Sequence, residues 1–150
     1  MVRRARIPDA KAIHKLLITY AKDGMMLSRS LSEIYEAIRD FYVCEGPDGT
    51  VVGTVCLHIC WEDLAEVRSL AVTEESSGRG IGRQLVEKCL EEARALGLKR
   101  VFALTYKPLF FQKLGFGEIE KAELPHKIWS DCIKCAKFPE CDETAVRIDF

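Results

Sequence analysis

The stretch "SLAVTEESSGRGIGRQLVEKCLEEARALG", Ser69–Gly97, constrains the fold more than any other part of the chain. A short apolar segment runs into a turn with glycine at 78, 80 and 82. The turn opens into an amphipathic pattern from Ile81 to Leu96, with Leu85, Val86, Cys89, Leu90, Ala93 and Leu96 on one side and Gly97 as the stop. Strand, glycine turn and helix in that order put the turn at the positive end of a helix. Glycines let backbone amides approach a bulky anion, and Arg79 and Arg83 add formal charge, so the matching ligand class is a phosphate or pyrophosphate. No Gly-Lys-Ser/Thr follows, so this is not a P-loop, and G-x-G-x-G departs from the dinucleotide fingerprint G-x-G-x-x-G. A tight strand-to-helix turn with no ligand is the plainer alternative.

The elements around this turn read as follows. Ile13, Leu16, Leu17, Tyr20 and Ala21 mark a helix over 9–22, with Gly24 beyond it. Ser30-Leu31-Ser32-Glu33 is a capping box that opens a second helix, with Ile34, Ile38 and Phe41 spaced for one face. "FYVCE" and "TVVGTVCLHICW" read as strands joined by "GPDG", which has hairpin-turn chemistry. "AEVRSLAV" is a third strand, and the apolar "KRVFALTY" a central one. Pro108 opens a short helix over "PLFFQKL", and Gly115 ends it. "FGEIEKAEL" and "TAVRIDF" supply two last strands. The order predicts a helical start without strands, then a mixed sheet with helices on its faces. No repeat or linker interrupts the 150 residues, so a single α/β domain over 1–150 is expected.

Composition narrows the function classes. Apolar content of 48% and charged content of 30% fit a soluble globular class rather than disorder. A net charge of −1 gives no support for general binding to nucleic acid or anionic membranes. No apolar run approaches the ~18 residues of a membrane span, and Asp9, Lys11, His14 and Lys15 interrupt any leader-type segment. The expectation is a cytoplasmic protein, with a homodimer left open. Of seven cysteines, Cys44, Cys56, Cys60 and Cys89 stand singly in apolar patterns and read as small buried hydrophobes.

The segment "LAV-TEESSGRGIGRQLVEKCL" resembles the acetyl-CoA-binding core of the GNAT N-acyltransferase superfamily, and "LFFQKLGF" resembles its later signature, a short aromatic helix ending in Gly-Phe. The resemblance implies a mixed, mostly antiparallel sheet flanked by helices, with acetyl-CoA as cosubstrate. It implies that Leu70, Ala71 and Val72 face the pantetheine arm. Ser77, Gly78, Arg79, Gly80, Ile81, Gly82 and Arg83 would cradle the pyrophosphate. Two departures stand out. Ser77 replaces the usual Gln or Arg at the start of the turn motif. Phe111 replaces the frequent tyrosine that protonates the leaving CoA thiolate, so water, Tyr106 or no protein group takes that step.

Transfer to an amine needs the amine deprotonated, and a carboxylate in reach serves that purpose. Glu66 stands where some GNAT relatives place a glutamate base. An ion pair with Arg68 on the same strand face is its alternative role. "GMMLSRSLSEIYEAIRDF", "FALTYKPLFFQKLGF" and "ELPHKIWSDCIKC" further resemble the acetyltransferase part of N-acetylglutamate synthases, in particular the short stand-alone bacterial kind. That likeness implies L-glutamate as acceptor and a place in arginine biosynthesis. Glutamate carries two carboxylates, which guanidinium groups bind bidentately. Arg29, beside the helix cap, is the candidate for the α-carboxylate. Lys107 and Arg147 are candidates for the side-chain carboxylate, with Lys127 and Arg68 behind them. A solvated surface charge is the alternative for each.

His126, Cys132, Cys135 and Cys141 form a set that zinc accepts, but their spacings match no standard finger. Packing cysteines or a redox-sensitive pair fit equally, so no metal ligand is assigned. Two rival functions stay open: a GNAT enzyme for another amine (polyamine, drug or protein N-terminus), and a non-catalytic acyl-CoA-binding module.

Overall fold

The computed structural model describes residues 1–22, 29–124 and 143–150. Within them, seven strands form one sheet in the order β1-β2-β3-β4-β5-β7-β6: β1 Val2–Arg4, β2 Phe41–Glu45, β3 Val51–Trp61, β4 Leu64–Val72, β5 Arg100–Thr105, β6 Gly117–Ile119 and β7 Thr144–Asp149. The β4–β5 pair is parallel, while β1–β2, β2–β3, β5–β7 and β6–β7 are antiparallel. Among the described residues, four α-helices accompany it: α1 Ala10–Lys22, α2 Leu31–Glu36, α3 Ile81–Ala95 and α4 Pro108–Gln112. The chain divides into two compact units, Met1–His58 with Val67–Glu92, and Ile59–Glu66 with Ala93–Phe150.

In the first unit, alternation along the strands sorts side chains between two helical layers. Phe41, Val43 and Cys56 join Ile13 and Leu17 of α1 and Ile34 of α2 in one buried cluster. Tyr42 points to the opposite face and donates its hydroxyl to Glu92 Oε2 of α3 at 2.7 Å. A Cβ on Gly53 would come within 3.1 Å of Ile81 Cγ2 and Leu85 Cδ1, so the bare glycine lets α3 lie against β3.

In the second unit, Leu64, Phe102, Leu124 and Ala145 form a cluster on one face of the sheet. Two helix ends here use the same device. The Gly97 amide donates to Arg94 C=O and the Leu98 amide to Ala93 C=O, with Gly97 at φ +83°. The Gly115 amide donates to Gln112 C=O and the Phe116 amide to Phe111 C=O, with Gly115 at φ +101°. Both are Schellman motifs, which a left-handed glycine makes inexpensive. The Gly-Phe of "LFFQKLGF" is thus a helix terminator, and Phe116 folds back edge-on to Phe111 with ring centroids 5.1 Å apart.

The structure departs from the sequence-based expectations at four points. The chain starts with a strand: β1 pairs antiparallel with β2, Val2 opposite Cys44. Three residues with two arginines carry no alternation to read, and backbone pairing alone makes this edge strand. The second helix stops at Glu36 and Phe41 opens β2, so Phe41 joins the core from the sheet. Leu96 is 53% exposed, because the helix ends one residue before it and the chain turns at Gly97. "FGEIEKAEL" makes only the three residues of β6 before a 3-10 turn at Lys121–Glu123. Cys44, Cys56 and Cys89 are buried as expected, while Cys60 is half-buried. Gly24, Lys127, His126, Cys132, Cys135 and Cys141 lie outside the described residues.

Candidate active site

The glycine turn is built in stages. The Thr73 amide donates to Val52 C=O on β3 at 2.9 Å, anchoring the end of β4. A 3-10 turn at Glu74–Ser76 follows, closed by the Ser76 amide to Thr73 C=O at 3.1 Å and the Ser77 amide to Glu74 C=O at 3.2 Å. The Ser77 hydroxyl also donates to Glu74 C=O, at 2.9 Å. Both polar hydrogens of Ser77 are therefore used inside the turn. Gly78 and Gly80 then adopt φ of +77° and +78°, with open space where a Cβ would stand.

Helix α3 begins its own ladder with the Gln84 amide donating to Gly80 C=O at 3.1 Å. The amides of Ile81, Gly82 and Arg83 precede that ladder and have no intrahelical acceptor. Ser77, Gly78, Arg79, Gly80 and Arg83 are exposed, and Ile81 and Gly82 half-buried. Arg83 Nε holds Glu87 Oε1 at 3.0 Å, one helical turn on. The donor set is thus a run of accessible amides with two arginines at the positive end of a 15-residue helix, which suits a pyrophosphate.

Upstream, β4 carries a feature no sequence pattern signalled. Ser69 has φ +56° in the middle of the strand. The alternation of buried and half-buried residues over Ala65–Arg68 breaks there, and Arg68, Ser69 and Leu70 are half-buried in succession. A left-handed non-glycine residue inside a strand re-aims the backbone as a bulge does, and such strain concentrates at functional sites. A serine within an apolar run looks ordinary, so the sequence held no clue.

The remaining candidates fall into two groups. Arg29 belongs to the first unit. Its side chain is only 15% exposed and its Nη1 lies 3.8 Å from Glu33 Oε2. The same Glu33 completes the capping box: Ser30 N–H donates to its Oε1 and its own amide donates to Ser30 Oγ, each at 3.1 Å. Arg68 lies near Asp40, whose carboxyl is pushed up by burial and drawn back by Arg68 and Arg4.

Glu66, Lys107 and Arg147 belong to the second unit. Phe102 pairs with Glu66 of β4 on one side and with Arg147 of β7 on the other. The three stand in one row and present their side chains to one face. Two strand spacings, roughly 10 Å, separate the Glu66 and Arg147 backbones. Both are half-buried, and Arg147 Nε holds Asp149 Oδ1 at 2.9 Å. Lys107 is exposed and caps α4, with its amide bound by Thr105 Oγ1 at 2.8 Å. Phe111 is 4% exposed, packed edge-on between Phe110 and Phe116.

Among the described residues, no group of three or more His, Cys, Asp or Glu side chains is placed to hold a metal ion. No helix among them is long and apolar enough to cross a membrane.

A family model described as the acetyltransferase (GNAT) family matches residues 11–116. The chain belongs to the GNAT acetyltransferase family. The mostly antiparallel seven-stranded sheet flanked by helices is the fold that the two sequence signatures implied. An uncharacterised N-acetyltransferase of Chlorobaculum tepidum is 46% identical over 145 residues, 97% of this chain and 93% of that one. An amino-acid acetyltransferase of Mycobacterium tuberculosis is 43% identical over 133 residues, 87% of this chain and 76% of that one. The N-acetylglutamate synthase of Neisseria gonorrhoeae, solved with coenzyme A and N-acetyl-glutamate, superposes with a TM-score of 0.89 at 25% identity. That match covers 99% of this GNAT chain and 34% of the larger synthase.

Proposed function

We propose that this GNAT acetyltransferase moves the acetyl group of acetyl-CoA to the α-amino group of an amino acid, with L-glutamate as the preferred acceptor and arginine biosynthesis as its setting. The observation that carries the cosubstrate is the turn. Gly78 and Gly80 hold a left-handed backbone that keeps the amides of residues 78–83 accessible at the start of α3. Those amides, with Arg79 and Arg83, bind the pyrophosphate; Leu70, Ala71 and Val72 flank the pantetheine arm. Ser77, with both polar hydrogens engaged, shapes the loop. Acetyl-CoA supplies an activated acyl carbon whose leaving group is a thiolate.

In this reading Glu66 takes a proton from the substrate ammonium, directly or through water. The free amine attacks the thioester carbonyl and an N–C bond forms; the C–S bond then breaks, the nitrogen gives up its second proton to water, and the departing CoA thiolate is protonated. Phe111 has no proton to give, so the thiolate takes one from water or from Tyr106. Arg29 holds the α-carboxylate, its guanidinium mostly covered and so weakly screened. Arg147 and Lys107 hold the side-chain carboxylate. Arg147 shares a sheet face with Glu66, which suits one small amino acid that offers its ammonium to Glu66 and a carboxylate to Arg147. The amino-acid acetyltransferase relative and the synthase solved with N-acetyl-glutamate support this acceptor.

The test is CoA release from acetyl-CoA by purified protein across the amino acids, spermidine and a peptide amine. Selective release with glutamate is expected. Release with another amine discards the acceptor and keeps the chemistry. The packed, hydroxyl-free Phe111 favours one second reading, a non-catalytic acyl-CoA-binding module. It predicts CoA binding with no turnover anywhere in the panel.

A further inference from the structure

We infer that Asp149 is a positioning residue for the acceptor: it holds Arg147 by Nε, leaves the two Nη groups to the substrate and so sets the length of amino acid that the site prefers. The inference rests on the reading that Arg147 binds the side-chain carboxylate of glutamate. Arg147 Nε donates to Asp149 Oδ1 at 2.9 Å, two residues along β7. Its side chain makes no other hydrogen bond or ion pair among the described residues. The Arg147 side chain is only 20% exposed, that of Asp149 59%. A mostly covered guanidinium thus keeps Nη1 and Nη2 without a protein partner. Those two nitrogens form the edge that grips a carboxylate through two parallel hydrogen bonds.

The strand pairing gives the direction in which the arm is held. Arg147 lies opposite Phe102, in the row that Glu66 completes; Asp149 lies opposite Arg100, in the row of Leu64. Residues two apart on a strand share a face, so both rows present their side chains to the same side. Arg100 is engaged by Asp63, Nη2 to Oδ2 at 2.9 Å, and the Asp149 carboxylate turns to Arg147. Asp149 therefore draws the guanidinium along β7 toward the Leu64 row. From Glu66, β4 runs the opposite way, on to Val72. An acceptor with its ammonium at Glu66 must reach a cation held back from that direction. Glutamate, one methylene longer than aspartate, spans the gap better. Released from Asp149, the long arm would sweep freely and meet shorter acceptors as well. The Asp149 charge opposes the acceptor's carboxylate, but solvent around so exposed a group screens that cost.

Steady-state kinetics with glutamate and with aspartate are compared for wild type, Asp149→Ala, Asp149→Asn and Arg147→Ala. Asp149→Ala is expected to raise the glutamate KM about 3–10-fold. It should narrow the glutamate-over-aspartate ratio of kcat/KM by a similar factor and leave the acetyl-CoA KM unchanged. Asp149→Asn keeps an oxygen that accepts from Nε and is expected to restore the ratio. A glutamate KM or a ratio that stays at the wild-type value in Asp149→Ala overturns the inference. So does a lower glutamate KM, which would make Asp149 a competitor of the substrate. An Asn variant that behaves like the Ala variant overturns it too, since charge rather than the Nε bond would then be the cause. If Asp149→Ala does not fold, the Nε–H resonance of Arg147 in the wild-type protein decides by NMR. Slow exchange that persists on adding glutamate is expected; exchange at the rate of a free guanidinium overturns the inference. Arg147→Ala with a wild-type glutamate KM, or wild type without glutamate turnover, removes the reading of Arg147 itself, and the inference with it.

Discussion

Gly78 and Gly80 keep φ of +77° and +78° where nothing stands within 4 Å of a Cβ position. Packing therefore does not forbid a side chain there; the backbone does. Alanine at either position costs about 1–2 kcal/mol of left-handed strain, and the loop relieves it by moving the amides proposed to bind the pyrophosphate. We expect Gly78→Ala and Gly80→Ala to weaken CoA binding in calorimetry more than they lower Tm. Glu66 invites the sharper kinetic test. If it is the base, Glu66→Gln lowers kcat by roughly 10²–10⁴-fold with acetyl-CoA KM little changed. A variant with near-normal kcat returns Glu66 to a structural ion pair. The glycine turn was legible because its glycines cluster where a strand gives way to a helix, whereas Glu66 was singled out by the family resemblance alone. Ser69 was not legible, since φ +56° at a serine leaves no trace in composition or period.

Helix α2 spans only Leu31–Glu36, too short to persist on propensity alone. Its capping box carries more of the burden than in a long helix, and the same Glu33 that closes the box lies beside Arg29. Ser30→Ala should cost about 1 kcal/mol in urea unfolding. It should also raise the amino-acid KM while leaving the acetyl-CoA KM unchanged, because Arg29 adjoins the frayed turn. The box was readable from Ser30-Leu31-Ser32-Glu33. The end of the helix was not, since Ile38 and Phe41 keep helical spacing and are claimed instead by a 3-10 turn and by β2.

Arg3 joins the two ends of a long excursion of the chain. It meets Asp9 with Nη1 at 2.8 Å from Oδ2 and Nη2 at 2.9 Å from Oδ1, and Nε donates to Glu45 Oε1 at 2.6 Å. β1, the turn before α1 and β2 are thus tied by one guanidinium. The hydrogen bonds from Arg3 hold the Asp9 carboxyl below the usual carboxylate range, against an opposing push from burial. The folded chain therefore binds fewer protons here than the unfolded one. The contribution is complete above the ordinary carboxylate pKa and is lost as pH falls through the depressed one. Asp9→Asn should destabilise the protein at pH 7 by about 1–3 kcal/mol, and the gap from wild type should narrow in urea unfolding below pH 4. Deep in the first unit, burial pushes the Cys89 thiol up and keeps it protonated. Cys89 should resist alkylation until the protein unfolds, which thiol labelling across a urea series checks.

Helix α3, the strands β2 to β5, the glycine turn and the Gly-Phe terminator were written in the sequence, because each is decided by local matters: period, glycine at a left-handed position, proline at a first turn. The family followed from two such local signatures. Contacts far apart in sequence decided the rest. β1 exists only because β2 offers it an edge, and Glu66 and Arg147 share a face only because Phe102 pairs with both. Tyr20 reads as one more apolar-face residue of α1 until its hydroxyl is seen on Val72. Pairing partners across dozens of residues leave no periodic mark in the chain, so the tertiary structure alone could assign them.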